Sequence, residues 1–317
     1  MTLQQLLAIE LPIIQAPMAG VQDHRLAVAV SNAGGLGSLP AAMLSLEALR
    51  SELTALQAQT GKPYNANFLC HPPPTPDATR EAAWRAALAP YYAELDLDPA
   101  QIPAGPGRAP FSAEAAALLA EFRPPVVSFH FGLPSAELLA QVKGWGSKVI
   151  ASATTVAEAL WLEAHGADAV IAQGLEAGGH RGHFLSLDLT EQAGLFALLP
   201  RIAQAVKVPV IAAGGIADAQ GVAAAMALGA AGAQVGTAYL LCPEATTSAV
   251  HRAALQSPAA GHTALTTLFS GRPARGMVNR VMRELGPLTA PTPEFPLATS
   301  AIAPLRAKAE SQGRGDF

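Results

Sequence analysis

Charged and aromatic side chains are scarce in this sequence, and cysteine is nearly absent. Of its 317 residues, 14% are charged and 5% are aromatic, and the two cysteines are Cys70 and Cys242. Two cysteines cannot form a disulfide framework, and they are compatible with a reducing compartment. The net charge of −4 argues against a protein that mainly grips nucleic acid. The 50% of apolar residues excludes global disorder.

Targeting and membrane-spanning segments are not evident either. Residues 1–10 contain no basic stretch followed by an apolar run, so no signal peptide is predicted. Residues 219–243 carry no charge, but they are rich in alanine and glycine and include Gln220 and Gln234. A buried helix, turn and strand explain this segment better than a membrane span does. We therefore expect a cytoplasmic protein that does not contact a membrane.

Several common catalytic and nucleotide-binding motifs are missing. The sequence has no G-x-x-x-x-G-K-[ST] loop, no G-x-S-x-G elbow and no H-E-x-x-H zinc helix. The glycine-rich segment 32–37 lacks the G-x-G-x-x-G spacing, and it precedes an apolar run instead of following one. A Rossmann dinucleotide site is therefore not predicted.

The sequence does contain a repeated alternation of short apolar runs and longer amphipathic stretches. Eight runs are too continuous for half-exposed strands, which is typical of parallel strands buried on both faces. They are residues 12–19, 36–39, 65–69, 126–131, 149–153, 169–173, 208–213 and 233–239. Helices are predicted at 24–33, 45–59, 113–122, 135–143, 155–165, 191–206 and 219–228. This pattern indicates an α/β protein with a (β/α)₈ TIM barrel rather than an open sheet.

Two segments interrupt the alternation. Residues 71–111 are rich in proline around one predicted helix near 78–89, and they form an insertion after the third strand. Residues 244–317 no longer alternate and carry five scattered prolines between 287 and 304. We expect residues 1–243 to form the barrel and residues 244–317 to form a C-terminal helical lid or subdomain packed on it.

Glycines at the ends of the last two predicted strands point to a phosphate site. Gly214 and Gly215 end the seventh strand, and Gln234, Val235, Gly236 and Thr237 lie in the eighth. Glycine lets the backbone approach a ligand closely, and a phosphate cradle after strands seven and eight recurs in barrels. The alternative is that these glycines only make tight turns, but two neighbouring strands with the same feature favour phosphate.

Two histidines are candidates for catalysis. His180 lies in a glycine-dense loop directly after the sixth strand and could act as a general base, since imidazole titrates near neutrality. His183 follows three residues later, but no cysteine is near and acids are few, so no metal site is predicted. His130 ends the fourth strand, where a catalytic role and a core position are equally compatible with the pattern.

Segments throughout the chain together resemble the nitronate monooxygenase family, formerly called 2-nitropropane dioxygenases. The segments are 12–20 (PIIQAPMAG), 32–39 (NAGGLGSL), 65–68 (NANF), 128–132 (SFHFG), 176–182 (EAGGHRG), 213–216 (AGGI), 234–237 (QVGT) and 269–276 (FSGRPARG). The resemblance covers nearly the whole chain and implies an FMN-dependent (β/α)₈ barrel.

The resemblance also implies roles for individual residues. Those that would contact the isoalloxazine are Ala16, Pro17 and Met18, with Asn67 and Gln173 at its polar edges. Those that would hold the phosphate are Gly178, Gly214, Gly215, Gln234, Val235, Gly236 and Thr237. His180 matches the position of the proposed catalytic base, and His130 would lie near the substrate nitro group.

The implied reaction is the oxidative denitrification of an alkyl nitronate, such as propionate 3-nitronate. O₂ is the co-substrate, and a carbonyl compound and nitrite are the products. One alternative is an FMN-dependent NAD(P)H reductase that acts on quinones or enoyl thioesters. A more distant one is a barrel that binds a phosphorylated metabolite without catalysis. The partners expected are a small nitronate or nitroalkane and O₂, with a homo-oligomer left open.

Overall fold

Strands occur close to each of the eight apolar runs. A computed structural model describes residues 1–102 and 108–317. The strands in that part of the chain are β1 (Ile13–Gln15), β2 (Gly37–Pro40), β3 (Tyr64–Leu69), β4 (Val126–His130), β5 (Lys148–Ala153), β6 (Ala169–Gln173), β7 (Gly179–His180), β8 (Val210–Ala213), β9 (Gly232–Val235), β10 (Thr263–Thr266) and β11 (Ala274–Met277).

Helices lie between most of the strands and dominate the C-terminal part. The α-helices are α1 (Leu3–Leu7), α2 (His24–Asn32), α3 (Leu46–Gln59), α4 (Ala78–Glu94), α5 (Ala113–Phe122), α6 (Ala136–Gly144), α7 (Val156–Ala164), α8 (Leu195–Ala205), α9 (Ala219–Ala227), α10 (Ala249–Leu255), α11 (Arg280–Leu285) and α12 (Thr299–Ser311). Short 3₁₀ helices span Pro99–Gln101, Leu189–Glu191, Thr237–Leu241 and Pro258–Gly261. Across residues 1–102 and 108–317, no helix has the length and apolarity needed to cross a membrane.

Contacts divide the chain into two compact units. The first unit contains Met1–His71, Ala109–Ala177 and Gly182–Thr246. The second contains Pro72–Arg108, Gly178–Arg181 and Thr247–Phe317. The proline-rich insertion and the C-terminal segment thus contribute to one unit, together with four residues of the His180 loop.

Eight parallel strands of the first unit form a barrel. Their order is β1-β9-β8-β6-β5-β4-β3-β2. A bridge between Ile14 and Leu36 completes the ring. There, the Gln15 amide donates to the Leu36 carbonyl, and the Leu36 amide donates to the Ile13 carbonyl, both at 2.9 Å. The predicted TIM barrel is confirmed.

The first and last barrel strands end several residues before the sequence pattern predicts, while β8 begins two residues later and β4 ends one residue earlier than predicted. The first was expected to cover 12–19, but β1 ends at Gln15. Pro17 follows closely and has no N–H to donate to a neighbouring strand. The last was expected to cover 233–239, but β9 ends at Val235. At Gly236 the backbone leaves the extended conformation, with φ −116° and ψ −76°, and a 3₁₀ helix begins.

Apolar packing inside and outside the ring stabilises the first unit. Ile14, Ile150 and Ile211 fill the barrel interior, and Leu3 and Leu7 of α1 pack against this interior cluster. Between the strands and the surrounding helices lies a larger layer that includes Leu53, Leu119, Leu162 and Leu199. Several helices of this layer begin at a residue whose side chain caps the helix, namely Asp23, Ser45, Thr155 and Asp218. Such caps satisfy amide groups that have no partner within the helix.

The second unit combines helices with a small antiparallel sheet. Strands β10, β11 and β7 pair in that order, and His180 lies opposite Ala274. Two aromatic side chains of α4 donate hydrogen bonds to backbone carbonyls in the first turn of α12 and just before it. Trp84 Nε1 donates to the Ala298 carbonyl at 3.3 Å, and the Tyr92 hydroxyl donates to the Ala301 carbonyl at 2.7 Å. Both rings are buried in the core of this unit.

Candidate active site

Most of the predicted site residues of the first unit lie at the carboxyl ends of its strands. Ala16, Pro17 and Met18 follow β1, Asn67 is in β3, His130 ends β4, Gln173 ends β6, Gly214 and Gly215 follow β8, Gln234 and Val235 end β9, and Gly236 and Thr237 follow it. Parallel strands of a barrel end on one face, where active sites of this fold are built. The topology therefore brings these residues to the same face of the barrel.

The turn after β8 requires glycine at both positions. Gly214 has φ +123° and Gly215 has φ +69°, conformations that side chains rarely tolerate. A Cβ on Gly214 would stand 3.0 Å from the Ala177 nitrogen and 3.3 Å from the Gly174 carbonyl oxygen. The backbone after β8 thus lies against the backbone after β6, and only a residue without a side chain fits there.

The segments after β9 and β1 also meet closely. A Cβ on Gly236 would lie 3.4 Å from the Ala16 Cβ and 3.8 Å from the Met18 sulfur. The Ala16 amide donates to the Val235 carbonyl at 2.8 Å. The Gln234 side-chain oxygen is buried and accepts no hydrogen bond from the described residues of the chain. Such an orphaned acceptor is costly in a folded protein, and it is the kind of atom that a bound polar ligand satisfies.

A buried amide network holds the loop after β1, and sequence reasoning missed it. Gln15 Oε1 accepts from the Ser38 amide at 2.9 Å, and Gln15 Nε2 donates to Gln22 Oε1 at 2.7 Å. The same Gln22 oxygen accepts from the Met18 amide at 2.8 Å. Gln22 thereby orients the backbone of Met18. Nothing in the local pattern around Gln22 signals this role.

The side chains of Asn67 and Gln173 are both hydrogen-bonded within the protein. Asn67 Nδ2 donates to Ser128 Oγ at 2.9 Å, and no residue in the described part of the chain donates to its Oδ1. Gln173 Oε1 accepts from the Gly182 amide at 2.7 Å. Both side chains are nearly buried, so these bonds fix their orientation at the strand ends.

His130 is held by a serine of the next strand. Its Nδ1 lies 3.0 Å from Ser152 Oγ, and the serine ends up beside it because β4 and β5 pair in parallel. A Cβ on Gly182 would stand 2.8 Å from His130 Cε1. The glycine after Arg181 therefore allows the returning loop to reach the imidazole. Ser152 was not singled out by the sequence pattern, in which it is one small residue of an apolar strand.

Glu176 plays a structural part in the loop after β6. Its Oε2 and Oε1 accept from the Leu195 amide at 2.8 and 3.1 Å, so the carboxylate lies at the N-terminus of α8. The residue before that helix is Gly194, which has no side chain to cap it. A carboxylate at this position also complements the positive end of the helix dipole. Glu176 thus anchors the loop immediately before the His180 segment.

His180 and Gly178 belong to the second unit. His180 Nε2 lies 2.7 Å from the Oγ of Ser270, which is itself buried. The imidazole also meets the ring of Phe295 edge-on, with centroids 5.2 Å apart. Beside it, the Arg181 amide donates to the Pro273 carbonyl at 2.8 Å, and the Arg181 side chain is fully buried. Sequence reasoning missed Ser270 and Phe295 as partners of His180.

Other candidates for chemistry have simple explanations. Burial raises the pKa of the Cys70 thiol far above neutrality, so this side chain is a protonated thiol and not a ready nucleophile. Within residues 1–102 and 108–317, no three His, Cys, Asp or Glu side chains are grouped as a metal site.

Comparison with known proteins identifies the family. The family model described as nitronate monooxygenase matches residues 1–316. A protein named nitronate monooxygenase from Pseudomonas aeruginosa is 43% identical over 321 aligned residues, which cover 99% of this chain and 90% of that protein. Another of the same name from Paraburkholderia phytofirmans is 44% identical, covering 97% of this chain and 85% of its own length.

A solved structure agrees with these relatives. The nitroalkane oxidase from Streptomyces ansochromogenes superposes on this chain with a TM-score of 0.89 at 40% sequence identity. The match covers 99% of this chain and 89% of that one, and the two share the same barrel fold. The chain therefore belongs to the nitronate monooxygenase family of oxidoreductases.

Proposed function

We propose that the protein oxidises alkyl nitronates, such as propionate 3-nitronate, with O₂ and FMN, to give a carbonyl compound and nitrite. The observation that carries the proposal is the contact of Gly236 with Ala16 and Met18. It brings the residues predicted for the phosphate next to those predicted for the flavin ring system. The names of the relatives support the same reaction class.

The residues at the barrel face fit a flavin nucleotide. The orphaned Gln234 oxygen is an acceptor for a ligand N–H or O–H group. Gly214, Gly215 and Gly236 have no side chains that could shield their amides, and phosphate binding uses such backbone donors. Ala16, Pro17 and Met18 would face the isoalloxazine, while Asn67 and Gln173 would meet its polar edges. Gly178, Val235 and Thr237 complete the proposed phosphate contacts. Bound FMN would supply the electron-transfer chemistry that no side chain offers.

The protein's own part in the reaction is to bind an anion and to move a proton. A nitronate is a small planar anion, and an imidazole can stabilise it or take the α-proton of the neutral nitroalkane. We assign the base to His180, whose Nε2 is held by Ser270. His130, fixed by Ser152, would contact the nitro group. We further propose that the enzyme acts in the cytoplasm, and a homo-oligomer remains compatible with it.

An anaerobic absorbance titration of purified, FMN-loaded protein tests the proposal. Propionate 3-nitronate, NADPH and NADH are added separately while the flavin band is followed. Bleaching by the nitronate and not by the nicotinamides is expected, with nitrite appearing when O₂ is admitted. Bleaching by a nicotinamide alone would move the protein to the reductase class. A protein that takes up no FMN would instead be a metabolite-binding barrel.

A further inference from the structure

Among residues 1–102 and 108–317, no carboxylate forms an ion pair with Arg108 or perturbs its pKa. Its side chain is half-buried in the second unit, and Nη1 donates to Thr299 Oγ1 at 2.9 Å. Its Cζ lies 5.9 Å from the centre of the Phe295 ring. In the described part of the chain, the only charged side chain that perturbs its pKa is another arginine, Arg306. Burial first, and repulsion by Arg306 second, lower the pKa of Arg108 below its usual value.

The surroundings of this guanidinium add further positive potential. Thr299, its hydrogen-bond partner, is the first residue of the 13-residue helix α12. The helix has no side-chain cap at this end and no acidic residue in its first turn. A helix N-terminus carries partial positive charge, so it disfavours a cation and favours an anion. A half-buried arginine placed beside another cation costs free energy unless an anion joins it.

The same aromatic ring links Arg108 to the proposed catalytic base. Phe295 contacts the imidazole of His180 edge-on, with ring centroids 5.2 Å apart, and lies under the Arg108 guanidinium. The separation between the Arg108 Cζ and the centre of the His180 imidazole therefore cannot exceed the sum of these two distances. A guanidinium presents a planar fork of donors that matches a carboxylate in a bidentate arrangement.

We propose that Arg108 is a specificity-determining residue that binds a carboxylate of the substrate. It favours one kind of nitronate over simple alkyl nitronates. The favoured substrates carry a second anionic group, which a short chain separates from the reacting carbon. This inference rests on the proposed function for the identity of the reacting group. The anion site itself depends only on the contacts within the second unit.

Calorimetric binding of two unreactive probes tests the site on the purified, FMN-loaded protein. Succinate has two carboxylates at the spacing of such a substrate, and butyrate keeps only one. Charge-assisted hydrogen bonds predict that the wild type binds succinate about tenfold to a hundredfold more tightly than butyrate. Arg108→Met is expected to remove this advantage of succinate over butyrate, and Arg108→Lys to retain part of it. Arg85→Met, which removes an exposed arginine of α4, is the matched control.

Equal affinity of the wild type for succinate and butyrate would overturn the proposal, whether or not the variants fold. So would an Arg108→Met protein that keeps the preference for succinate, or an Arg85→Met protein that loses it. With nitronates, kcat/KM for propionate 3-nitronate should fall in Arg108→Met, while kcat/KM for propyl 1-nitronate should not. If the wild type turns over neither nitronate but its succinate preference still depends on Arg108, the proposed function fails and the anion site stands.

Discussion

The imidazole of His180 contacts both a serine hydroxyl and an aromatic ring. Ser270 Oγ lies 2.7 Å from Nε2 and is also 3.4 Å from the Arg272 carbonyl oxygen. When the serine hydroxyl donates to that carbonyl, it accepts a hydrogen bond from Nε2–H. Nδ1 is then the basic nitrogen of the neutral ring. In that orientation the hydroxyl favours the tautomer with hydrogen on Nε2.

Replacing the His180 imidazole distinguishes its two possible roles, which are to take the α-proton of a nitroalkane and to stabilise the nitronate anion. His180→Asn is expected to lose turnover of neutral nitroalkanes by about 100-fold or more, since a general base is worth that much. Turnover of preformed nitronates should fall far less, because their α-proton is already gone. Steady-state kcat/KM with nitroethane and ethyl nitronate measures both. Equal losses on the two substrates would contradict the base assignment. The exposed His165, replaced by Asn, serves as the control.

Residue-level reasoning from sequence singled out the two histidines as candidates but not the groups that hold them. His180 and Ser270 are 90 positions apart, and His130 and Ser152 are 22 apart. Serine gives no local signal of such a partnership, because a buried serine in an apolar strand looks like any small residue. The partners become visible only when strand pairing and chain reversal place them together.

At the scale of elements, the packing of α2 on β2 depends on one glycine. A Cβ on Gly37 would stand 1.9 Å from the Ala27 carbonyl oxygen and 2.6 Å from its carbon. These are backbone atoms of α2, so the helix would have to move as a whole. The absence of a side chain at Gly37 therefore sets the distance between this helix and the barrel.

Gly37→Ala is expected to destabilise the protein by about 3 kcal/mol or more, because overpacking against backbone cannot be relieved by a rotamer change. Gly61→Ala is the matched control, since no atom lies within 4 Å of its added Cβ and its φ is not positive. Its effect should stay within about 1 kcal/mol. Urea unfolding midpoints of the two variants compare them directly. Similar midpoints would show that α2 accommodates the methyl group.

An ion-pair network joins elements of the second unit. Glu94 of α4 accepts from Arg280 of α11 at 2.8 Å through both oxygens, and from Arg314 at 2.8 Å. Hydrogen bonds from Arg280, then from Arg314, lower the pKa of the Glu94 carboxyl from 4.5 to about 2. Because the folded-state pKa is depressed, the stabilisation is fully present above about pH 4.5 and is lost as the pH falls towards 2.

Glu94→Gln should therefore lower the thermal midpoint at pH 7, by a small amount because the carboxylate is exposed. The difference from the wild type should shrink as the pH is lowered from about 4.5 towards 3, where the wild-type carboxylate begins to be protonated. It should also shrink in 1 M salt, which screens exposed charges. Melting curves at pH 7, 4.5 and 3 check this. A constant difference at all three would contradict the pKa shift.

At the scale of the whole molecule, the barrel could be predicted from the sequence because short, mostly apolar runs alternate regularly with helical stretches. β6 and β8, for example, are buried at every position, and periodicity detects such runs well. Apolar periodicity could not predict which segments of the chain form the second unit. Its three segments are far apart in the chain, and Gly178–Arg181 has no apolar pattern of its own. Only pairing of β7 with β11 shows where those four residues belong.

Ligand-dependent stability tests the cofactor assignment on the intact protein. A ligand that binds only the folded state, at about 100 times its dissociation constant, adds roughly 2.7 kcal/mol, or about 4 °C in Tm for a chain of this size. FMN should produce such a shift when added to the apoprotein. Riboflavin, which lacks the phosphate, should shift Tm much less at the same concentration. This difference is expected because the proposed contacts of Gly214, Gly215 and the backbone after β9 are with the phosphate, which riboflavin lacks. Equal shifts by the two flavins would remove these residues from the phosphate site, and no shift by either would remove FMN itself.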